Sequence, residues 1–371
     1  MKIIDFGKVR KKIEIKANNV NKKNIYFIQY KYFKLILLLF FIIIILFINY
    51  SSIYKIIFVQ NKSYNKKLLL THKVGIFKLN DIPPEKFECN ILNEIKEKNN
   101  FKSLLSINEL YFINGLIRKF KPKKIIEIGV CTGGTSATIL NAIKDIEGAK
   151  LYSIDLEKKH YLKNSFDVGY IVRDYFPEFL NNWKLFTGNT TASFIELIGN
   201  DIDFAFIDTA HVMPGEVLNI IEILPFLKKN AIIAFDDIDH QARDVEIKSN
   251  NFHSCNNLLF SVLRGEKIIY NQNYNNTFNF RKLGAVILDD NQEDYYFEYF
   301  YLLTNNWSYM PQHFEIVAIR EIIKKYYNPF FLSIFDKAVE LNYKHLKMKG
   351  LLDKDYILYT FMNVKRKNPF S

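Results

Sequence analysis

Three cysteines in 371 residues leave little room for sulfur chemistry. Cys89, Cys131 and Cys255 lie far apart, and no CxxC pair occurs. That pattern excludes a disulfide framework and a structural zinc site. A basic groove is lacking too. Residues 1–34 hold ten Lys/Arg against Asp5 and Glu14, which is eight of the chain's twelve net positive charges. The rest is only mildly basic, so no nucleic-acid partner is expected. No internal repeat is visible, and no small-x-small cleavage pattern follows the long apolar run. The second glycine of a dinucleotide fingerprint is also missing: counting from Gly129, the third position is Cys131. This disfavours a pyrophosphate cradle, and with it a nicotinamide-dependent oxidoreductase.

The apolar run itself is Leu35 to Ile48, and the 20 residues between Lys34 and Lys55 carry no charge. As a helix they would extend roughly 30 Å, the thickness of a bilayer core. A single membrane anchor over residues 35–55 is therefore expected, after a basic tail at 1–34. Lys55, Lys62, Lys66, Lys67 and Lys73 follow the span closely. The charge bias nearly cancels, and the side on which the body lies stays open. Residues 56–105, rich in Lys and Asn and containing Pro83-Pro84, read as a stem with some helix near Glu85–Lys98.

Past the stem the pattern is α/β. Ser106-Ile-Asn-Glu109 is a capping box. It opens a helix with Leu110, Ile113, Leu116, Ile117 and Phe120 on one side, which Pro122 ends. A buried strand at Ile125–Val130 then breaks at Gly129 and turns through Gly133-Gly134 into a helix. Further strands are expected at Lys150–Ile154, Lys184–Phe186, Phe204–Ile207 and Ala231–Phe235, with a helix over Gly215–Lys229. Two more, Lys267–Tyr270 and Gly284–Leu288, suggest an antiparallel end. The expected fold over 106–290 is a doubly wound, Rossmann-like α/β sheet. Residues 291–371 form a helical extension, with helices at His313–Tyr327 and Leu332–Met348. Its aromatic crowd from Tyr295 to Tyr309 reads as core packing.

In such sheets ligands bind at the carboxyl ends of the strands. Five consecutive ends carry suitable polar groups. The first offers Glu127 and a glycine turn, where a ligand can lie against bare N–H groups. The second ends in Asp155, suited to both ribose hydroxyls. The third ends in Thr187-Gly-Asn189, the fourth in Asp208-Thr-Ala-His211, and the fifth in Asp236-Asp237. Three carboxylates on adjacent strand ends would repel, at about 4 kcal/mol per close pair. They call for a hard cation such as Mg²⁺ or another neutralising partner.

Glu127-Ile-Gly-Val-Cys-Thr-Gly-Gly-Thr135, Asp155, Phe206-Ile-Asp-Thr-Ala-His211 and Phe235-Asp-Asp-Ile238 together resemble a class I S-adenosylmethionine-dependent methyltransferase. The resemblance covers about residues 106–290 and is nearest to the O-methyltransferase group of catechol-type, small-molecule and sugar enzymes. It implies a seven-stranded sheet with S-adenosylmethionine as cofactor. Glu127, Gly129, Cys131, Thr132, Gly133, Gly134 and Thr135 would cup its methionine part. Asp155 would hold the ribose and Asn189 would border the adenine, with Asp208 closing the cofactor site. Asp208, Asp236 and Asp237 would hold the metal. His211 stands where the family has a lysine and would act with Asp208 in catalysis, as a general base. The expected reaction is methylation of a hydroxyl on a small molecule, sugar or lipid. The acceptor loops would be His160–Asn182 and His240–Ser261. The alternative is an inactive binding or scaffold protein, and Asn189, Asp237 and His211 are where such decay would show.

Overall fold

The computed structural model describes residues 74–77, 105–160, 163–238, 255–270 and 283–352. The basic tail, the 35–55 span and the helix expected near Glu85–Lys98 lie outside these residues. The chain divides into two units, Met1–Leu70 and Thr71–Ser371, and every described residue belongs to the second.

The first helix forms where its local signals place it. In α1 (Ile107–Phe120) the Glu109 carboxylate accepts the Ser106 N–H at 2.6 Å and the Ser106 hydroxyl accepts the Glu109 N–H at 3.4 Å. Lys121, left-handed at φ 50°, closes the helix ahead of Pro122. Leu110, Ile113, Leu116 and Ile117 are fully buried. They join one core with Ile139, Leu140 and Ile143 of α2 (Gly134–Ile143) and with Ile125, Leu151, Phe204 and Phe206 of the sheet.

The chain then winds outward and back. β2 (Lys124–Ile128) pairs in parallel with β3 (Lys150–Asp155), and β3 with β6 (Trp183–Thr187). β7 (Ile202–Ile207) returns to the other side of β2 and is followed in parallel by β8 (Leu227–Phe235). The order therefore reverses between β2 and β7, which places the ligand crevice at their carboxyl ends. β10 (Gly284–Leu288) runs antiparallel between β8 and β9 (Gly265–Tyr270), the expected antiparallel end. An eighth strand, β1 (Val74–Phe77), adds in parallel to β9 at the edge. The segment read as a stem thus supplies one edge strand to the seven-stranded sheet.

Other differences are local. A hairpin, β4 (Lys159–His160) with β5 (Lys163–Asp167), follows β3 inside the first expected acceptor loop. Next come α3 (Tyr170–Tyr175), α4 (Thr191–Ile198) and α5 (Gly215–Ile223). The last is shorter than expected, because Pro225 turns Leu224–Phe226 into a 3₁₀ segment and β8 starts at Leu227. Residues 239–254 of the second expected acceptor loop lie outside the described residues, and α6 (Asn256–Val262) follows them.

The C-terminal helices α7 (Tyr296–Leu302), α8 (His313–Tyr326) and α9 (Pro329–Met348) pack on the sheet domain. The Tyr327 hydroxyl donates to the Ile221 carbonyl of α5 at 2.6 Å, and the Ser308 N–H donates to Met213 O at 2.9 Å. Tyr295, Tyr299, Phe300 and Trp307 are buried, as core packing requires, whereas Phe297 and Tyr301 are exposed. Among the described residues no helix is long and apolar enough to cross a membrane. Trp307 ties the extension together: its Nε1 donates to Leu303 O at 2.9 Å and its N–H to Asn342 Oδ1 at 2.8 Å. Trp307→Ala is expected to lower unfolding free energy by about 3–5 kcal/mol in urea titrations. A loss under about 1 kcal/mol would show the extension to be loosely attached.

Candidate active site

The glycine turn after β2 is shaped by what lies against it. Gly129 has φ +90°, and a Cβ there would sit 1.8 Å from the backbone carbonyl oxygen of Asp208. Gly133, at φ +88°, would place a Cβ 2.9 Å from Gly169 Cα. The parallel ladder runs one residue past the strands. Gly129 N donates to Ile154 O at 2.9 Å and Asp208 N to Ile128 O at 2.9 Å. Asp236 N donates to Ile207 O at 3.1 Å and Gly188 N to Asp155 O at 3.1 Å. The five strand ends read from the sequence therefore meet along one edge.

Three non-glycine residues at these ends are left-handed: Cys131 at φ 51°, His211 at 59° and Asp237 at 52°. Each costs on the order of 1–2 kcal/mol, and such strain clusters at functional sites. At Cys131, where a dinucleotide fold has glycine, the loop is tied down on two sides. Asp155 Oδ2 accepts the Val130 N–H at 2.9 Å and the Cys131 N–H at 3.0 Å. Behind it, Gly169 N donates to Cys131 O at 2.9 Å and Ile171 N to Thr132 O at 3.0 Å. Thr132, Gly134 and Thr135 are buried within this turn and the first turn of α2.

Glu127 lies beneath it, fully buried. Its Oε2 accepts the hydroxyls of Ser136 and Ser153, each at 2.6 Å, and Trp183 Nε1 donates to Ser153 Oγ at 2.8 Å. Its Oε1 is buried with no hydrogen bond. Burial pushes this carboxyl up to about 7, against the pull of the two serine hydroxyls, with the Asp208 and Asp155 charges adding to the rise. An unsatisfied buried oxygen is a costly feature. It fits a cationic ligand group, and an ammonium arriving there would favour the ionised form.

Asp155 and Asn189 also serve the fold. Asp155 Oδ1 accepts the Glu157 N–H at 2.9 Å, so three backbone donors already use this carboxylate. A carboxylate has about four acceptor sites, which leaves roughly one for a ribose hydroxyl. Asn189 Oδ1 accepts from Thr190 N at 2.9 Å and Ser193 Oγ at 2.8 Å, just ahead of α4. Only its amide NH₂ remains to address a base.

The acidic ends converge on one imidazole. His211 is buried, with Nε2 3.4 Å from Asp208 Oδ1 and 3.8 Å from Asp237 Oδ2, and Nδ1 3.3 Å from Glu216 Oε1. Burial alone would lower its pKa, but Asp208 and Glu216, helped by Asp237, raise it well above the ordinary value. The His211 expected as general base therefore sits where the surrounding carboxylates favour its protonated form. The protonated ring would set a positive charge among these acidic groups. Of the expected metal trio, Asp208 and Asp236 come together with His211: ligand atoms of these three lie within 4.8 Å of one another.

Ser136, Ser153, Glu216 and Asn256 belong to the site and were not singled out in the sequence. An acid in the first turn of α5, whose other polar side chains are Asn219 and Glu222, was the available signal for Glu216.

Residues 126–238 match the family model for a methyltransferase domain. An O-methyltransferase from Bacillus cereus, solved with SAH, is similar at 15% identity and a TM-score of 0.41, over 54% of this chain and 91% of that one. A Streptomyces achromogenes O-methyltransferase involved in tomaymycin synthesis, solved with SAM, is similar at 13% identity and a TM-score of 0.40, over 56% and 91%. No curated protein matches the chain.

Glu127 gives this site a pH signature. Its folded pKa lies above the ordinary 4.5, so its contribution to stability is full below about 4.5 and is lost as pH rises through about 7. Relative to Glu127→Gln, the wild-type unfolding free energy should fall by on the order of 3 kcal/mol over that window. Parallel pH profiles for the two proteins would contradict it.

Proposed function

We propose that the chain is an S-adenosylmethionine-dependent O-methyltransferase acting on a hydroxyl of a small molecule, sugar or lipid. The observation that carries this reading is the buried, unpartnered Oε1 of Glu127 beneath a turn that only bare backbone can form. The donor set suits this cofactor: a carboxylate for an ammonium, the first-turn backbone N–H groups of α2 for a carboxylate, and Asp155 for a ribose. When bound, the cofactor supplies an activated methyl group on a sulfonium, itself a good leaving group.

The chain's own residues do the rest. Glu127 and the 129–135 turn bind and orient the methionine part, Asp155 the ribose and the Asn189 amide the adenine edge. Asp208 links both halves of the site, since its carbonyl oxygen packs on Gly129 and its carboxylate faces His211. Asp208, His211 and Asp236 would hold a divalent cation, which would orient an acceptor hydroxyl and lower its pKa. Two carboxylates and an imidazole suit Mn²⁺ as well as Mg²⁺. A ligated or proton-accepting histidine must be neutral. A cation that replaces the histidinium charge among the carboxylates would return the ring to that form. The hairpin and α3 within 160–182, with the segment 240–261, remain the proposed acceptor-binding region. We place this body beside a membrane through residues 35–55, on the strength of the uncharged run alone.

One experiment addresses the proposal. The full chain is expressed, membrane and soluble fractions are separated, and methyl transfer from labelled S-adenosylmethionine is assayed against sugar, lipid and phenolic hydroxyls. Activity is expected in the membrane fraction, to be lowered by EDTA and restored by Mg²⁺ or Mn²⁺. Asp208→Ala and Asp236→Ala should each reduce it at least about a hundredfold. Full activity in EDTA would remove the cation, and activity confined to the soluble fraction would remove the anchor.

A further inference from the structure

Glu216 is a fully buried carboxylate at the start of α5, and nothing in the binding scheme uses it. Its Oε1 accepts the backbone N–H of His211 at 2.6 Å and lies 3.3 Å from Nδ1 of the same ring. Its Oε2 accepts the thiol proton of Cys255 at 2.6 Å. Three residues on, Asn219 Oδ1 accepts the Thr209 hydroxyl at 3.1 Å. That spacing puts Glu216 and Asn219 on one helix face, so α5 grips two residues of the 208–211 turn from behind.

The grip matters because of what it holds. His211 has a left-handed backbone, which persists in a non-glycine residue only where the surroundings impose it. The bond from its N–H to Glu216 supplies that restraint. Asn256 completes the frame, with Nδ2 donating to Asp236 O at 2.7 Å and lying 3.2 Å from His211 Nδ1. The other ring nitrogen, Nε2, faces Asp208 and Asp237.

We propose that Glu216 is a positioning residue: it holds the Nδ1–H of His211 and the left-handed turn beneath it, so that Nε2 alone is presented to the site. A carboxylate behind a functional histidine fixes its tautomer and ring orientation, and losing one typically costs about ten- to a hundredfold. The catalytic consequence rests on the methyl-transfer reading, whereas the geometry does not.

The test is Glu216→Gln in the full chain, which keeps the size and an acceptor for the backbone N–H but removes the charge. The Nδ1–H proton resonance of His211, assigned by its absence in His211→Gln, is expected far downfield and protected from exchange in the wild type. In Glu216→Gln it should move upfield or exchange away, while Glu216→Asp should recover part of the shift. The kcat of Glu216→Gln should fall by about ten- to a hundredfold, with S-adenosylmethionine binding unchanged. A resonance that stays in place in both variants overturns the positioning role. A displaced resonance with wild-type kcat overturns its service to the reaction. The resonance is read on the protein without substrate, so it decides the geometry even where the wild type transfers no methyl group. That last result would overturn the methyl-transfer reading instead.

Discussion

The close approach of Gly129 to the carbonyl of Asp208 is the constraint on which the rest of the site depends. A Cβ at 1.8 Å from that oxygen cannot be accommodated by side-chain rotation, because both contacting groups are backbone. The contact fixes the end of β2 against the end of β7, where the winding of the sheet reverses. Once those ends are level, the ladder bonds at Gly129, Asp208, Asp236 and Gly188 bring the other three into line. The glycine turn and the acidic cluster are thus two faces of one backbone contact.

Charge shapes the second face. Asp208, Asp237 and Glu216 surround His211, and their combined field outweighs the cost of burying a cation. Burial would likewise push Glu216 up, but its bonds to His211 pull it below the ordinary range. The Cys255 thiol, raised by burial and by the adjacent Glu216, stays a neutral donor. An ion pair with its remaining lone pairs satisfied can persist in such an interior, whereas a single partner removed leaves an uncompensated charge. The same logic applies to Glu127, whose neighbours offer hydroxyls and no cation. Its carboxyl is left in the neutral range, where an incoming ammonium can ionise it.

Much of this was legible in residue spacing. The capping box at Ser106, the apolar stripe of α1 and the strand ends at Glu127, Asp155, Asp208 and Asp236 follow local rules that tertiary structure did not override. The details that escaped are those set by distance in sequence. Glu216 reads as a first-turn acid of a helix, and nothing local reveals that Cys255, 39 residues on, donates to it. Asp155 and Asn189 look like ligand residues, and only packing shows how much of each is spent on its neighbouring loop. The β4–β5 hairpin is too short and too polar for periodicity to mark, and Val74–Phe77 sits in a Lys- and Asn-rich stretch that hides a strand. The helix expected over Gly215–Lys229 ran through Pro225, whose ring a helix interior cannot hold, and it ends instead at Ile223.

The central claim is that the turn after β2, with Glu127 beneath it, binds S-adenosylmethionine. Calorimetric titration of the cofactor into the full chain tests this most directly, comparing wild type with Glu127→Gln at pH 6 and pH 8. The account predicts saturable binding that is tighter at pH 8 in the wild type, because Glu127 must ionise to meet the ammonium. It predicts weaker and pH-insensitive binding in the variant. No binding by the wild type at either pH, or equal binding by both proteins, would contradict it.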